Sequence, residues 1–234
     1  MSQEGFWVLL WDIKLGSEYD LLLRKNQRLI AGWVRGGGLD GAHQGIVCTS
    51  WSRARDQGPP GPRRVRSDAF VLGLPDLEPH EQAEVDAGNE MMRFGVFLCL
   101  LLRAFLVPWS LENPARSRFW LAARVLRLAR MRGVCFTITD MCQWGTPWMK
   151  PTGFLTWGLS VDSLAKRCCG AKRGVCARTG RSHVVLRGLD KNGRFKTGIA
   201  SAYPHALCKC LARCYYNAKV SSLAEGFQVG LSAS

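Results

Sequence analysis

Short apolar runs alternate with amphipathic stretches in the first part of the chain, and this alternation constrains the fold more than any other feature. FWVLLWDI at 6–13 and GAHQGIVC at 41–48 have the length and composition of buried strands. Between them, Ser17 is placed to cap a helix that ends at the glycine triplet 36–38. A strand, a helix and a second strand at this spacing form a βαβ unit, which predicts a parallel sheet.

The rest of the chain continues this α/β pattern. Further strands are predicted for VPWSLENP at 107–114, VCFTITD at 134–140, GFLTWGL at 153–159 and HVVLRGL at 183–189, and helices for 84–105, 117–132 and 203–218. We therefore expect an α/β, Rossmann-like fold with a mostly parallel sheet and helices on both faces. We expect it to be incomplete at its N-terminal strand and to carry a small Cys/His-rich basic insertion.

Three regions are expected along the chain. Residues 1–160 form the α/β core with a long exposed basic loop at 53–83, residues 161–218 form a Cys- and Arg-rich portion that completes the sheet, and 219–234 are a frayed tail. The most apolar run, 94–109, is interrupted by Arg103 and is shorter than the roughly 20 residues that a membrane-spanning helix needs. It therefore predicts a buried helix that leads into a strand and not a membrane anchor.

The charge balance favours a polyanionic partner. The chain has 32 Lys and Arg against 18 Asp and Glu, a net charge of +14, and arginine supplies most of the cations. Arginine suits bidentate phosphate contacts, so nucleic acid is the expected partner, with DNA favoured and RNA left open. The alternative is a basic surface that serves only solubility.

The cysteine count points to an intracellular protein. Ten cysteines are compatible with a secreted disulfide scaffold, but the chain begins MSQEGFW, without the basic and apolar regions of a signal peptide. We expect a protein that is not secreted, is nuclear if eukaryotic, and uses its thiols as metal ligands or in catalysis.

Three predicted strands end in reactive side chains, namely Asp12, Cys48 and Glu112. Parallel α/β sheets gather function at the carboxyl ends of their strands. A thiol and a carboxylate on neighbouring strand ends form a nucleophile and a proton donor. From the spacing alone, a core cysteine and a solvated strand terminus remain the alternative.

A family resemblance adds to this interpretation. Cys48 followed by TSWSRAR, then LENP at 111–114, then CQWGTPWMKPTGFLTW at 142–157 resemble in order and spacing the DNA cytosine-5 methyltransferases. That family has a Pro-Cys dipeptide at a strand end, a later Glu-Asn pair, and a Gly-x-Pro segment leading into a basic strand. The layout is also similar to that of mobile-element-associated proteins of protists and algae. Since the resemblance begins at the second strand, and Val47 stands where the family has proline, it implies a truncated or degenerate member.

The resemblance implies a role for each matching residue. The Cys48 thiolate would add to a flipped-out pyrimidine, Glu112 would hydrogen-bond the ring, and Asn113 would hold the loop. Asp12 would bind the ribose of the cofactor S-adenosylmethionine. Nucleic-acid contacts are expected from Arg53, Arg55, Arg63, Arg64, Arg66 and Lys150.

A second group of residues has the chemistry of a metal site. Cys142, Cys168, Cys176 and His183 combine thiolates and an imidazole at short spacing, which suits tetrahedral zinc. The alternative is a pair of loop thiols and a histidine that begins a strand. For the whole chain, the alternative to a methyltransferase-like enzyme is a non-enzymatic, zinc-stabilised nucleic-acid-binding module of mobile-element origin.

Overall fold

A computed structural model describes residues 6–59, 61–170, 174–189 and 192–231, with side chains described as far as 222. The helices are α1 (Arg24–Arg35), α2 (Pro79–Ala104), α3 (Ala123–Ala129), α4 (Lys196–Ile199) and α5 (His205–Leu231). The strands are β1 (Ala42–Gly45), β2 (Trp109–Pro114), β3 (Val134–Asp140) and β4 (Pro151–Trp157). Short 3-10 helices lie at Ile13–Leu15, Ser17–Tyr19, Arg53–Gln57, Arg118–Leu121, Met141–Trp144 and Asp162–Leu164.

The four strands form one mixed sheet in the order β1-β2-β4-β3. β1 and β2 are parallel, whereas β4 is antiparallel to both β2 and β3. The α/β class is confirmed, but the prediction of a mostly parallel sheet is wrong. The segment 141–150 that joins β3 to β4 is shorter than the dozen or more residues of a parallel crossover, so these neighbours must run in opposite directions.

The two faces of the sheet bury different partners. On β2, Trp109 and Leu111 point into a core that also contains residues of α2 and α3. Phe154 of β4 points to the other face, into a second core with Leu207 and Leu211 of α5. Helices therefore cover both faces, as predicted, although the sheet between them is mixed.

Two glycines of α2 allow close packing against this helix. A Cβ atom added at Gly88 would lie 2.7 Å from Ser50 Oγ and 3.0 Å from a guanidinium nitrogen of Arg66. A Cβ at Gly95 would lie 2.9 Å from the Cδ1 atom of Ile46. The two positions are seven residues apart, so they share one helix face. Glycine at both of them lets β1 and the segment after it approach the helix backbone.

The predicted first strand is wrong. Residues 6–12 are extended but belong to no strand, and Trp7, Val8, Leu9 and Leu10 are all more than 60% exposed. Trp11 of this run packs inward, edge-on against Trp33 of α1. An apolar run resembles a strand in sequence whether or not a neighbouring strand is there to pair with it.

Several predicted boundaries also change. α1 ends at the predicted glycine stop, with Gly36 as its C-cap, but begins only after Leu23. The predicted helix 117–132 is a 3-10 turn followed by the short α3. Residues 183–189, predicted as a strand, lie outside the sheet, and the described residues of 161–218 add no strand to it. α5 continues to Leu231, so the predicted frayed tail is helical that far; 232–234 lie outside the described residues.

Candidate functional site

Cys48 follows β1, and Glu112 lies near the end of the neighbouring parallel strand β2. Gly45, the last residue of β1, lies beside Glu112 of β2 in the parallel register, and Cys48 follows three residues later. The side-chain amide of Asn113 donates a 2.9 Å hydrogen bond to the Ile46 carbonyl oxygen, which holds the chain that carries Cys48 against β2. The structure therefore brings these three predicted site residues to one edge of the sheet.

Glu112 is a buried acid with a raised pKa. The residue is 7% exposed, and burial raises the pKa of the carboxyl group, while a hydrogen bond with Tyr203 and the charge of Lys150 oppose the shift. The Tyr203 hydroxyl also lies 3.2 Å from Nε2 of His43. Burial lowers the pKa of His43 to about 4, so this imidazole is neutral near pH 7.

Cys48 is a protonated thiol in this environment. Burial raises the pKa of the half-buried thiol, as does the nearby Glu112, and Lys150 only partly offsets them. The Lys150 ammonium donates a 2.5 Å hydrogen bond to the Ala200 carbonyl oxygen. Its backbone has φ of +29°, a conformation that is uncommon for a residue other than glycine and that tends to occur at functional sites. The site therefore places a thiol and a carboxyl group, both with raised pKa values, beside a fixed cation.

Sequence reasoning missed the two aromatic members of this site. His43 lies within β1, where its Nδ1 is 2.8 Å from Ser110 Oγ, and Tyr203 precedes α5. His43 was hidden inside an apolar run, which indicated only a strand. Tyr203 lies 91 positions beyond Glu112, so no local spacing linked them. The signal that was present is the AYP segment at 202–204, because a following proline restricts the backbone of the tyrosine and so fixes where its ring points.

Asp12, the predicted cofactor residue, lies elsewhere. Its carboxylate accepts a 2.9 Å hydrogen bond from the Lys14 backbone amide and so caps an exposed 3-10 turn. The residue therefore does not end a strand of the sheet. The residue predicted to bind S-adenosylmethionine does not lie at a strand end, so no chemical step is assigned to that cofactor.

The four predicted metal ligands lie together. One ligand atom from each of Cys142, Cys168, Cys176 and His183 falls within 4.8 Å of the others, and the three cysteines are buried. The Cys168 sulfur is 3.6 Å from Nε2 of His183. Sulfur ligands on a tetrahedral zinc ion, at about 2.3 Å from it, are about 3.8 Å apart, so a small contraction makes a complete coordination sphere. The residues present thus fit a closed metal site with four protein ligands.

The backbone around this group is already arranged for thiolates. The Ala177 amide donates to the Cys168 sulfur at 3.3 Å, and the Cys168 amide donates to the buried Asp140 carboxylate at 2.7 Å. Burial opposes ionisation of Cys176, but hydrogen bonds from Arg178 and Thr179 outweigh it and lower its pKa to about 6. Burial raises the pKa of Cys142 to about 12. The ready thiolate of Cys176 beside the Cys142 thiol is an entry point for a cation, which displaces thiol protons as it binds.

The loop 53–83 is organised by ion pairs, whereas the sequence predicted a freely exposed basic loop. We call this set the arginine network: its cations are Arg53, Arg55, Arg63 and Arg118, and its anions are Asp56, Asp68, Asp76, Glu81 and Glu84. Arg118 is the most enclosed, with its side chain 4% exposed between Asp56 at 2.7 Å and Asp68 at 3.0 Å. Three of the predicted phosphate ligands, Arg53, Arg55 and Arg63, are therefore paired with carboxylates of the same chain.

Arg66 is a structural residue, which corrects its prediction as a nucleic-acid contact. The residue is 0% exposed, its guanidinium lies 3.6 Å from the Trp51 ring centre, and it donates to Ser50, Asn89 and two backbone carbonyls. Burial lowers its pKa to about 10, whereas the charge of Glu84 opposes the change. Arg64 lies close by in the chain and is exposed. Of the predicted cations, Arg66 cannot reach a phosphate, and Lys150 belongs to the Cys48 site.

Comparisons with known proteins give no relative. No family model matches the chain, and the searches of curated proteins and of solved structures return no match. Among the described residues, every helix is too short or too polar to cross a bilayer. All ten cysteines have free thiols. The two cysteine-containing sites are therefore the basis for a function.

Proposed function

We propose that this protein binds nucleic acid and receives a single pyrimidine base at the Cys48–Glu112 site, as a protein of cytosine-5 methyltransferase type. The observation that carries the proposal is the meeting of Cys48, Glu112 and Lys150 at one sheet edge. The resemblance gives base-binding roles to Cys48 and Glu112 and a nucleic-acid contact to Lys150. An extrahelical base is required because ring atoms are out of reach while the base is stacked.

The protonation of the site suits a pyrimidine. A carboxyl group with a raised pKa donates a hydrogen bond to the ring nitrogen of cytosine, as the neutral carboxyl groups of other buried sites do. The Cys48 thiol lies close enough to Glu112 for the ionised form of that carboxyl group to raise the pKa of the thiol. Lys150 adds a cation that stabilises negative charge developing on the ring when sulfur adds to it.

The test uses an oligonucleotide that carries one 5-azacytosine, in which nitrogen replaces ring carbon 5 and makes carbon 6 more electrophilic. The Cys48 sulfur forms a bond to carbon 6, the ring double bond opens, and nitrogen 5 takes up the proton that the thiol loses. We expect a denaturant-resistant adduct with the natural protein and none with Cys48→Ala. Glu112→Gln should slow adduct formation by about tenfold or more, the usual scale for loss of a positioned proton donor.

Three results separate the candidate functions. An adduct that requires Cys48 supports the base-receiving site. Tight binding of the oligonucleotide without an adduct supports the non-enzymatic binding module, which is favoured by the protonated thiol and by Tyr203 on Glu112. If the natural protein does not bind nucleic acid, both candidate functions are contradicted. Titration with S-adenosylmethionine tests methyl transfer separately.

We further propose that the Cys142, Cys168, Cys176 and His183 group holds zinc. A buried Cys3His set without an open position is typical of structural zinc, which adds its binding energy to folding. We expect one zinc per chain by native mass spectrometry, and loss of zinc in Cys176→Ser. Cys169→Ser is the matched control, because Cys169 is an exposed neighbour that lies outside the group. Retention of zinc by the Cys176 variant would contradict this assignment.

A further inference from the structure

A groove between α1 and α2 carries more arginines than the acids of the described residues around it neutralise. The groove has a volume of about 510 Å³ and is lined by Arg24, Arg28 and Arg35 of α1 and by Glu90, Arg93 and Phe97 of α2. Four arginines thus face one glutamate. We call this surface the α1–α2 groove.

The single acid of the groove is shared between two arginines. Glu90 lies 3.6 Å from Arg24 and 3.4 Å from Arg93, both longer than the contacts of the arginine network. Arg24 is 75% exposed and Arg93 49% exposed. Within the described part of the chain, Arg28 and Arg35 form no ion pair, so the groove keeps a surplus of positive charge.

The spacing of the arginines fits an extended anion better than a single phosphate. Arg24 and Arg35 stand at opposite ends of α1, about 16 Å apart at 1.5 Å per residue. That length exceeds the span of a single phosphate group and fits several consecutive phosphates of one strand. Arg24 also occupies the first turn of its helix, where a cation opposes the helix dipole. Its position is therefore not explained by the stability of α1.

The groove also contains an exposed aromatic ring. Phe97 is 44% exposed, and its neighbour Phe94 is buried below it with ring centres 6.4 Å apart. A cationic track with an aromatic platform is the usual composition of a surface for single-stranded nucleic acid, in which phosphates pair with arginines and a base stacks on the ring. An anionic bilayer would use the cations but would give no role to one ring inside a groove.

From this arrangement we infer that the α1–α2 groove binds a single strand of nucleic acid, with its phosphates on Arg24, Arg28, Arg35 and Arg93 and a base on Phe97. The inference rests on the proposed nucleic-acid partner and assigns the surface that holds it. Most of the arginines predicted from the sequence for this task are occupied within the arginine network, whereas those of the groove are accessible. The groove is distinct from the Cys48 site, because it binds the strand whereas the Cys48 site receives the target base.

The experiment measures binding of a fluorescent single-stranded oligonucleotide by anisotropy at several salt concentrations. We expect Arg28→Gln/Arg35→Gln to weaken binding by about tenfold at low salt and to reduce the slope of log affinity against log salt by about 1.4, the value for two lost single-strand phosphate contacts. Arg124→Gln/Arg127→Gln on α3 removes the same charge from exposed positions and should leave the affinity and the salt slope nearly unchanged. Phe97→Leu should weaken binding about fivefold or more without changing the slope.

Two outcomes overturn the inference. One is equal loss in the α1 and α3 variants, which would indicate non-specific charge. The other is a groove variant that loses binding to vesicles of acidic lipid or to inorganic phosphate but keeps the oligonucleotide. The adduct with 5-azacytosine distinguishes this inference from the proposed function. Normal groove-dependent binding without an adduct refutes the base-receiving site alone, whereas an adduct with no groove dependence refutes the groove alone.

Discussion

Two regions of this protein contain four arginines each, and the two regions use them differently. In the arginine network the guanidinium groups lie within 2.6–3.0 Å of carboxylates, and Arg55 and Arg118 are largely enclosed. In the α1–α2 groove they share a single glutamate at 3.4–3.6 Å. Five of the chain's 18 acidic residues belong to the network. Glu90 is the one acid among the lining residues of the groove, which leaves the groove more basic than the average composition suggests.

A count of charges does not distinguish arginines that stabilise the fold from arginines that can bind a ligand. A paired, buried arginine organises the chain around it and is shielded from a ligand. An unpaired, exposed arginine adds little to stability and is available for phosphate. Substitutions in the network should therefore act on unfolding, and substitutions in the groove should act on binding.

The largest effect is expected at Arg66, which lies beside the network. Arg66→Met removes the donors to the side-chain oxygen of Asn89 and to the Val71 carbonyl oxygen, and it leaves these enclosed groups without them. Each unsatisfied group costs about 1–3 kcal/mol, so we expect the free energy of unfolding to fall by about 3–5 kcal/mol, measured by urea denaturation. Arg64→Met at a nearby exposed position should change it by less than about 0.5 kcal/mol. Equal effects of the two substitutions would remove the distinction between buried and exposed arginines.

A smaller effect is expected at Arg118. Its guanidinium makes two parallel bonds to Asp56 and a third to Asp68, a geometry that a lysine ammonium cannot reproduce. Arg118→Lys should lower the free energy of unfolding by about 1–3 kcal/mol although the charge is kept. Arg124→Lys on α3 is the matched control and should be close to neutral. An unchanged Arg118 variant would show that charge alone, without the forked geometry, sustains the network.

A pH effect is expected at Asp68. Hydrogen bonds and charge from Arg53, together with Arg118, lower the pKa of this carboxyl group. A lowered pKa in the folded state means that the stabilisation is present above the ordinary value of about 4 and is lost as the pH falls through the folded pKa. The melting temperature of the natural protein should exceed that of Asp68→Asn at pH 7, and the gap should close in acid. Asp162→Asn, at an exposed acid outside the network, should show no such convergence.

The smallest effect is expected on binding. Asp76→Asn releases one of the two acids that hold Arg63, whose side chain is 46% exposed. We expect affinity for the single-stranded oligonucleotide to rise by at most about threefold, because an exposed pair is worth at most about 1 kcal/mol. The gain should vanish at high salt. A larger gain in affinity than that of Asp162→Asn supports competition between carboxylate and phosphate for the same arginine. Equal gains in the two variants would mean that only the net charge of the protein matters.

The sequence predicted some parts of this molecule well. The strands β2, β3 and β4 lie within or beside their predicted ranges, and the pattern of cysteines and histidine identified all four members of the Cys3His group. Both depend on local information. Apolar periodicity reports burial along a few residues, and Cys168, Cys176 and His183 follow one another closely enough to share a site. Cys142 was included in the predicted group because it follows a predicted strand, from which it can approach the loop in space.

The remaining parts depend on partners far away in the chain. Strand direction is decided by which segments pair, so the run 6–13 looked like a strand and the sheet looked parallel. The role of an arginine is decided by the acids that folding brings to it, and Arg118 and Asp68 are 50 residues apart. Tyr203 reached Glu112 in the same way. Residue type predicted the chemistry of these positions, but their use was determined by tertiary contacts.

The two glycines of α2 have a consequence for how the molecule folds. Each glycine inside a helix costs about 0.5–1 kcal/mol relative to alanine, so α2 is weakened at Gly88 and again at Gly95, on the face where Trp51, Arg66 and β1 dock. Since a helix in isolation is marginal even with good helix formers, this one owes its persistence to the docking that the glycines permit. The middle of α2, β1 and the segment around Arg66 therefore form a single cooperative unit. Their amide hydrogens should exchange together, at a rate set by the opening of the whole unit and not by fraying of the helix.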